Sequence, residues 1–329
     1  MSTHFPDRGT LHAALSLAIR APSVHNTQPW RWRVGKKSLH LYADSRLQLP
    51  NTDPDGRDLM LSCGIALHHC VVALAALGWQ SKIHRLPNPD EPEHLAAIEV
   101  YRHPANEVDI MLAAAIPRRR TDRRRYSSWS VPAHYIALMG ARAARAGVML
   151  RQIESLPRLQ HIVAQAVWRH ATDYDYMAEL TTWSGRYASL AGVPAHSTPP
   201  SDPTAPLPPR LFAGPVLGQP PGADSVDDNA VVLALGTKDD STLARLRAGE
   251  ATSLVLLSAT ALGLASCPVT EPLEIVETRN AVQVEVFGIS GFPQVLLRIG
   301  WAPVNADPLP STPRRPLADV VESLDGSTM

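Results

Sequence analysis

Apolar residues recur every three or four positions along several stretches of the chain and alternate with polar residues along others. The first stretch, residues 10–20, is closed by Pro22, because the residue before a proline avoids the α region. Helices are predicted over residues 10–20, 58–77, 108–115, 133–146 and 157–180, and strands over 29–34, 39–42, 81–86 and 97–101. The chain therefore mixes helices with strands.

Two of these stretches resemble each other. A Leu/Val/Ala-rich helix runs from Gly64 to a Leu-Gly step at Gly78, and a second runs from Gly249 to a Leu-Gly step at Gly263, with the same spacing of 14 residues. Glycine at such a step suits a left-handed helix C-cap. The similarity predicts an internal duplication. The alternative is a chance likeness between two Ala/Leu-rich helices.

A proline-rich segment, residues 192–222, separates the two stretches. It holds ten prolines between Pro194 and Pro221 and has almost no periodicity, so no helix is expected there. Two interpretations remain, a disordered linker or an ordered flap, since a loop of this length inside a compact protein is usually either disordered or functional.

Composition and charge exclude several classes of protein. The 329 residues, 45% of them hydrophobic, exceed one average domain and rule out disorder as the main state. With 31 basic and 31 acidic residues the net charge is zero, so no global field selects nucleic acid or an anionic membrane. The apolar run at residues 66–79 is shorter than the ~20 residues of a membrane span. Three cysteines without a Cys-x-x-Cys pair, and a start without a signal pattern, predict a reduced, cytoplasmic protein.

Two segments carry candidate binding groups. Residues 118–125 hold six arginines, whose planar guanidinium groups match a phosphate; the alternatives are a solvated charge run and a nucleic-acid patch. The loop at residues 21–30 holds Ser23, which can bond a carbonyl or phosphate oxygen, and Asn26, which can both donate to and accept from a ring edge. The alternative for these two residues is local capping of the backbone.

Other patterns argue against competing chemistry. His68, His69 and Cys70 are adjacent on a predicted helix and point about 100° apart, so no metal site is expected. The chain has no Gly-x-Ser-x-Gly elbow and no Gly-x-Gly-x-x-Gly turn, so neither a serine hydrolase nor a Rossmann site is supported.

The two candidate segments resemble motifs of the flavin-dependent nitroreductases. Residues 21–30, Ala-Pro-Ser-Val-His-Asn-Thr-Gln-Pro-Trp, resemble the signature Ala-Pro-Ser-x-x-Asn-x-Gln-Pro-Trp. Residues 119–123, Arg-Arg-Thr-Asp-Arg, resemble the Arg-Arg-Ser-x-Arg element, and residues 247–265 and 313–317 also fit the family's second half. The resemblance covers nearly the whole chain and implies an α+β nitroreductase-like fold with FMN as its cofactor.

The order of the two motifs is reversed relative to ordinary members, which are homodimers. This order, like the repeat, fits an internally duplicated chain that mimics the homodimer, with residues 1–105 as a degenerate first half and residues 106–329 as the second. Such chains resemble the Acg-type branch, actinobacterial FMN-binding proteins associated with dormancy, in which a long segment covers the flavin. The resemblance therefore implies a monomer with one FMN and a proline-rich lid at about residues 192–222.

The resemblance also assigns roles to individual residues. Arg119 and Thr121 would hold the polar side and phosphate of the flavin, Arg314 would pair with the phosphate, and Arg123 would lie beside N1, where positive charge stabilises the reduced flavin. The full set of expected FMN-binding residues is Pro22, Ser23, Asn26, Gln28, Arg119, Arg120, Thr121, Arg123, Thr270, Glu271 and Arg314. No individual role falls to Arg118, Arg120, Arg124 and Arg125, which could be merely solvated.

One departure from the family concerns Glu271, which stands where ordinary members have a glycine beside flavin N5. A side chain there could crowd N5 or place a carboxylate near it, which would disfavour reduction.

Two functions are implied, with no residue assigned as catalytic. The first is a lidded protein that sequesters FMN or turns over weakly. The second is an active oxidoreductase that uses NAD(P)H to reduce small nitroaromatic or quinone acceptors. An arginine-dependent nucleic-acid binder is a weaker alternative, and neither nucleic acid nor membrane is expected as a partner.

Overall fold

The computed structural model describes residues 5–187, 189–202, 204–221 and 228–324. The helices are α1 (Arg8–Ala18), α2 (Arg57–Ala76), α3 (Glu107–Ala115), α4 (Ala133–Arg145), α5 (Leu156–Thr172), α6 (Tyr174–Trp183), α7 (Thr242–Ala261), α8 (Glu271–Glu274) and α9 (Val276–Val282). The strands are β1 (Trp30–Val34), β2 (Ser38–Ala43), β3 (Trp79–Arg85), β4 (His94–Arg102), β5 (Met149–Gln152), β6 (Ser184–Arg186), β7 (Val193–Pro194), β8 (Val231–Thr237), β9 (Ala265–Val269), β10 (Phe292–Gly300) and β11 (Val321–Ser323).

Two sheets share one order of four antiparallel strands. The first contains β1-β2-β4-β3 and the second β5-β8-β10-β9. In the first sheet β2 leads into the long helix α2, and the chain returns through the edge strand β3 to β4. In the second sheet β8 leads into the long helix α7, and the chain returns through the edge strand β9 to β10. The segment between β5 and β8, which carries α5, α6 and the proline-rich residues, corresponds to a short turn between β1 and β2. The predicted mixture of helix and strand is confirmed.

The two long helices cross at the glycines that open the sequence repeat. A Cβ placed on Gly64 would lie 2.9 Å from the Cα of Gly249, and the reverse distance is also 2.9 Å. Both helices are buried along most of their length, and each packs on its own sheet. By length and composition α2 could also cross a membrane, but 72% of its apolar stretch is buried inside the protein, as in a core helix.

The C-terminal part of the chain returns from the second sheet to the first. β11 pairs with β1 in parallel, with Trp32 opposite Val321. Val320 and Val321 join the core formed by α1, α2 and the first sheet, in which Trp30 and Trp32 are fully buried. This return carries residues 312–315 past the end of α1.

Several sequence predictions need correction. A single helix over residues 157–180 is wrong, because the chain breaks at Asp173, whose backbone is extended and whose side chain accepts from the Tyr176 N–H to cap α6. The proline-rich segment does contain one turn of 3₁₀-helix, Ala195–Ser197, although no α-helix forms in its described part. The left-handed C-caps at Gly78 and Gly263 are confirmed, with φ of 81° and 83°.

Candidate functional site

A cavity of about 200 Å³ lies between three parts of the chain: the loop after α1, the arginine segment and the proline-rich segment. Residues at the junction of β9 and α8 complete its wall. Six residues predicted from the sequence line it: Pro22, Ser23, Thr121, Arg123, Thr270 and Glu271. The structure therefore brings together two motifs that are about 100 residues apart in the chain.

The loop after α1 is held in an unusual backbone conformation. His25, Asn26 and Gln28 have φ of 43°, 55° and 56°, a region that residues other than glycine rarely occupy. The loop is fixed by Ser23 Oγ, which accepts from the Gln28 N–H at 2.9 Å, and by the Val24 N–H, which donates to Ser62 Oγ at 3.1 Å. Strain of this kind persists where the surrounding structure imposes it, and it concentrates at functional sites.

Asn26 and Gln28 do not line the cavity, and protein groups occupy most of their hydrogen-bonding capacity. Asn26 Nδ2 donates to the carbonyls of Gly192 and Pro313, and Gln28 Nε2 donates to the Leu190 carbonyl at 2.8 Å. Asn26 Oδ1 is buried and lacks a partner among the described residues. The side chains of these two residues thus hold the loop against the proline-rich segment and the C-terminal return.

Four arginines surround a small recess beside the cavity: Arg20, Arg119, Arg120 and Arg314. Arg119 Nη1 donates to Thr121 Oγ1 at 3.3 Å, which connects the recess to the cavity. Arg314 Nη2 donates to the carbonyls of Arg20 and Ala21 at the end of α1. Sequence reasoning missed Arg20, because only the fold places the end of α1 beside the arginine segment.

These guanidinium groups have no compensating carboxylate among the residues that the structure describes. Within the described ranges none of the four forms an ion pair, and the Nε atoms of Arg20, Arg119 and Arg314 are buried without a hydrogen-bond partner. Burial and the neighbouring positive charges lower the pKa of Arg119 to about 10 and that of Arg314 to about 9. Because the recess measures about 10 Å³, its side chains must separate to admit a phosphate, which would satisfy the orphaned donors.

The carboxylate of Glu271 is engaged by the protein. The side chain is buried, and one oxygen lies 3.1 Å from Nδ1 of His170, whose ring stacks on Tyr176 with centroids 3.7 Å apart. The other oxygen lies 3.9 Å from Nε of Arg210. A carboxylate does lie in the cavity wall, as the sequence suggested, but a cation from the proline-rich segment faces it.

The remaining arginines of the segment differ from expectation. Arg124 is buried and forms an ion pair with Asp122 at 2.9 Å, and Arg125 forms one with Asp202 of the proline-rich segment at 2.5 Å. Solvation is therefore wrong for both, while Arg118 is exposed. In the part of the chain that the structure describes, no group of three or more His, Cys, Asp or Glu residues could hold a metal ion.

The described part of the proline-rich segment packs on the cavity from outside. Arg123 Nη1 donates to the Ser197 carbonyl at 3.1 Å, and its guanidinium lies 4.9 Å from the Phe212 ring centroid. Residues 199, 200, 202, 205–210 and 212 line the cavity. Pro203 and residues 222–227 fall outside the described residues.

Comparison with known proteins identifies close relatives along the whole chain. No family model matches the sequence. The chain is 65% identical to a Mycobacterium tuberculosis H37Rv protein named "Putative NAD(P)H nitroreductase Rv3131", over 98% of this chain and 94% of that protein. It is 36% identical to "Putative NAD(P)H nitroreductase acg" of the same strain, over 94% of each chain.

Solved structures show more distant similarity. A Bacteroides fragilis nitroreductase with bound FMN aligns with 62% of this chain and 92% of its own at 14% identity and a TM-score of 0.40. The FMN- and NADPH-dependent nitroreductase NfnB of a Sphingopyxis species aligns with 64% of this chain and 97% of its own at 19% identity and a TM-score of 0.39. The family assignment rests on the sequence relatives: this chain belongs to the nitroreductase family.

Proposed function

We propose that the protein binds one FMN per chain, with its phosphate among Arg20, Arg119 and Arg314 and its ring in the cavity lined by Ser23 and Arg123. The observation that carries this proposal is the arginine cluster, in which three buried Nε atoms have no partner among the described residues and Arg119 is hydrogen-bonded to Thr121 of the cavity wall. A dianionic phosphate is the group that such a cluster fits best. The FMN bound in the related nitroreductase from Bacteroides fragilis agrees with this choice.

When bound, FMN supplies a ring that can accept and release a hydride. The residues of this chain would bind and orient it. Arg123 lines the cavity, where its positive charge would stabilise the reduced ring, and it is kept in place by the Ser197 carbonyl and the Phe212 ring. Arg210 compensates the carboxylate of Glu271, so the acidic residue in the wall need not oppose reduction.

We also propose that the chain is a fused pseudo-dimer, with residues 1–105 and 106–329 as its halves. The shared strand order of the two sheets and the crossing of α2 and α7 at Gly64 and Gly249 support this organisation. One arginine segment and one loop after α1 then give one composite site. We further propose that the protein is a monomer and is located in the cytoplasm. Its role would be associated with dormancy, as the resemblance to the Acg-type branch implies.

The proline-rich segment would act as a lid, which favours a protein that sequesters FMN or turns it over weakly. Its support is that the segment lines the cavity and is anchored by the Arg125–Asp202 and Arg210–Glu274 ion pairs. The second candidate is an active NAD(P)H-dependent reductase of nitroaromatic or quinone acceptors. The names of the close relatives favour that activity.

The phosphate claim is tested by comparing FMN with riboflavin, which lacks the phosphate. We expect the intact protein to prefer FMN, and Arg119→Met to reduce this preference roughly 10- to 100-fold, because a charge-assisted contact of about 1.5–3 kcal/mol is lost. Arg118→Met, an exposed neighbour, is the matched control and should leave the preference unchanged. Equal affinities of the intact protein for the two flavins would overturn the assignment.

Stopped-flow reduction of the bound flavin by NADPH decides between the two functions. A lid predicts slow bleaching in the intact protein and faster bleaching, with FMN retained, when residues 198–209 are deleted or when Asp202→Asn breaks the ion pair with Arg125. Rapid bleaching of the intact protein would instead establish the active reductase.

A further inference from the structure

Arg210 of the proline-rich segment is fixed on three sides. Its Nη2 contacts the carboxylate of Glu274 and donates to Thr270 Oγ1 at 3.2 Å, and its Nε lies 3.9 Å from Glu271. Burial alone would lower its pKa, but the Glu274 carboxylate and its neighbours raise the pKa above the ordinary value. The guanidinium is therefore permanently charged and can only donate hydrogen bonds.

The free edge of this guanidinium meets His25 in the loop after α1. Arg210 Nη1 lies 2.6 Å from His25 Nε2. Since a guanidinium has no acceptor, Nε2 must accept, and the ring must carry its single proton on Nδ1. Burial, followed by the charges of Arg210 and Arg123, lowers the pKa of His25 well below its usual value, so the ring stays neutral.

The Nδ1 atom of His25 is itself an unsatisfied donor. It is buried and has no partner among the described residues, whereas buried N–H groups in native proteins are nearly always hydrogen-bonded. His25 lines the cavity, and its φ of 43° holds the ring there in a backbone conformation that costs energy. An imposed conformation with an orphaned donor is the arrangement expected where a ligand supplies the missing acceptor.

We propose that Arg210 is a positioning residue that holds His25 as the Nδ1–H tautomer, and that His25 donates this hydrogen bond to a carbonyl oxygen or imine nitrogen at the edge of a heteroaromatic ring in the cavity. The inference rests on the proposed function in that FMN is the ring. Closure of the proline-rich segment then completes the binding site as well as covering it.

The first arm of the test observes the tautomer directly. In the ¹⁵N spectrum of histidine-labelled protein without FMN, His25 should carry its proton on Nδ1. Arg210→Gln should release the ring to a mixture that contains the Nε2–H form. Arg118→Gln makes the same substitution at an exposed arginine outside the cavity wall, and it should leave the tautomer unchanged. An Nε2–H ring in the intact protein, or no change in Arg210→Gln, would overturn the inference.

The second arm measures FMN affinity in two variants that both tolerate a positive φ. His25→Asn keeps a side-chain donor and His25→Gly does not, while both residue types accept the left-handed conformation. We expect the glycine variant to bind FMN roughly 3- to 10-fold more weakly than the asparagine variant. Equal affinities would refute the contact to the ring. A failure of the intact protein to bind FMN at all would overturn the proposed function, and the tautomer spectrum would still decide the role of Arg210.

Discussion

Gly64 and Gly249 lie against each other where α2 crosses α7, each at the first position of a repeated helix stretch. The Cα of either glycine is 2.9 Å from the point where a Cβ on the other would sit, so the helix axes approach to a distance that no other residue allows. A close crossing of this kind, made within one chain, takes the place of a contact between two subunits in the pseudo-dimer that we propose.

Replacing Gly64 by alanine should therefore destabilise the protein. The new methyl group would press on the backbone of α7, which cannot move as a side chain could, and we expect a loss of about 1–3 kcal/mol in the free energy of unfolding. Gly140→Ala in α4 is the control, because its nearest neighbour, Leu150 Cδ2, would be at 3.9 Å. That variant should gain up to about 1 kcal/mol from helix propensity. Urea denaturation measures both, and a neutral Gly64→Ala would contradict the close crossing.

Arg119→Met should stabilise the protein in the absence of flavin while weakening FMN binding. The buried guanidinium has a pKa of about 10 in the folded state, below its unfolded value, so its charge opposes folding at neutral pH. We expect the free energy of unfolding of the variant at pH 7 to be about 1–3 kcal/mol higher than that of the intact protein. Because the folded pKa is lowered, this advantage should shrink as the pH rises above about 10. Thermal melts with and without FMN measure both effects: the variant should be more stable than the intact protein without FMN and should gain less stability when FMN is added. Destabilisation of the variant without FMN would argue against an uncompensated charge.

Asp58, in the cavity wall near the start of α2, should make stability depend on pH in the acid range. Burial, then the charges of Asp53 and Glu274, raises its pKa well above the usual value, and burial raises the pKa of Asp53 to about 6. A raised folded pKa adds stability at low pH that is lost as the pH rises through it. Asp58→Asn should therefore raise the free energy of unfolding at pH 8 by about 1–3 kcal/mol. Between pH 4 and pH 8 the variant should lose less stability than the intact protein.

Asp55→Asn is the matched control for Asp58→Asn. It lies three residues away and removes only an ion pair between a half-exposed Asp55 carboxylate and Arg279 at 3.3 Å. Asp55→Asn should lower the free energy of unfolding by at most about 1 kcal/mol. Equal pH profiles for the two variants would show that Asp58 is not held as the neutral acid.

A fused pseudo-dimer should remain a monomer at all concentrations. The contact between α2 and α7 is satisfied within the chain, so the surface that joins two subunits in a homodimer is already covered. Sedimentation velocity over a wide concentration range measures this. A stable dimer would leave the composite site intact but would show that a further interface exists.

Local chemistry explains which parts of the fold were predictable. The C-caps at Gly78 and Gly263 follow from the conformational freedom of glycine, and β1 and β2 follow from the alternation of apolar and polar residues. The break between α5 and α6 was missed because Asp173, a residue acceptable inside a helix, here caps the next helix instead.

The site was only partly predictable, for a related reason. The arginine segment and the loop after α1 carry recognisable motifs, and the cavity receives residues from both. Arg20, His25 and Arg210 acquire their importance from contacts across at least 60 residues of chain, which no local pattern encodes. Asn26 and Gln28 matched the motif, yet their amides serve chiefly to hold the loop in place.

The central claim, one composite flavin site per chain, is tested most directly by the absorbance spectrum and flavin content of the purified, FMN-reconstituted protein. The account predicts an oxidised flavin spectrum with about one FMN per polypeptide, because the described residues form one arginine recess beside one cavity lined by both motifs. A colourless protein that cannot be reconstituted, or two tightly bound flavins per chain, would contradict it.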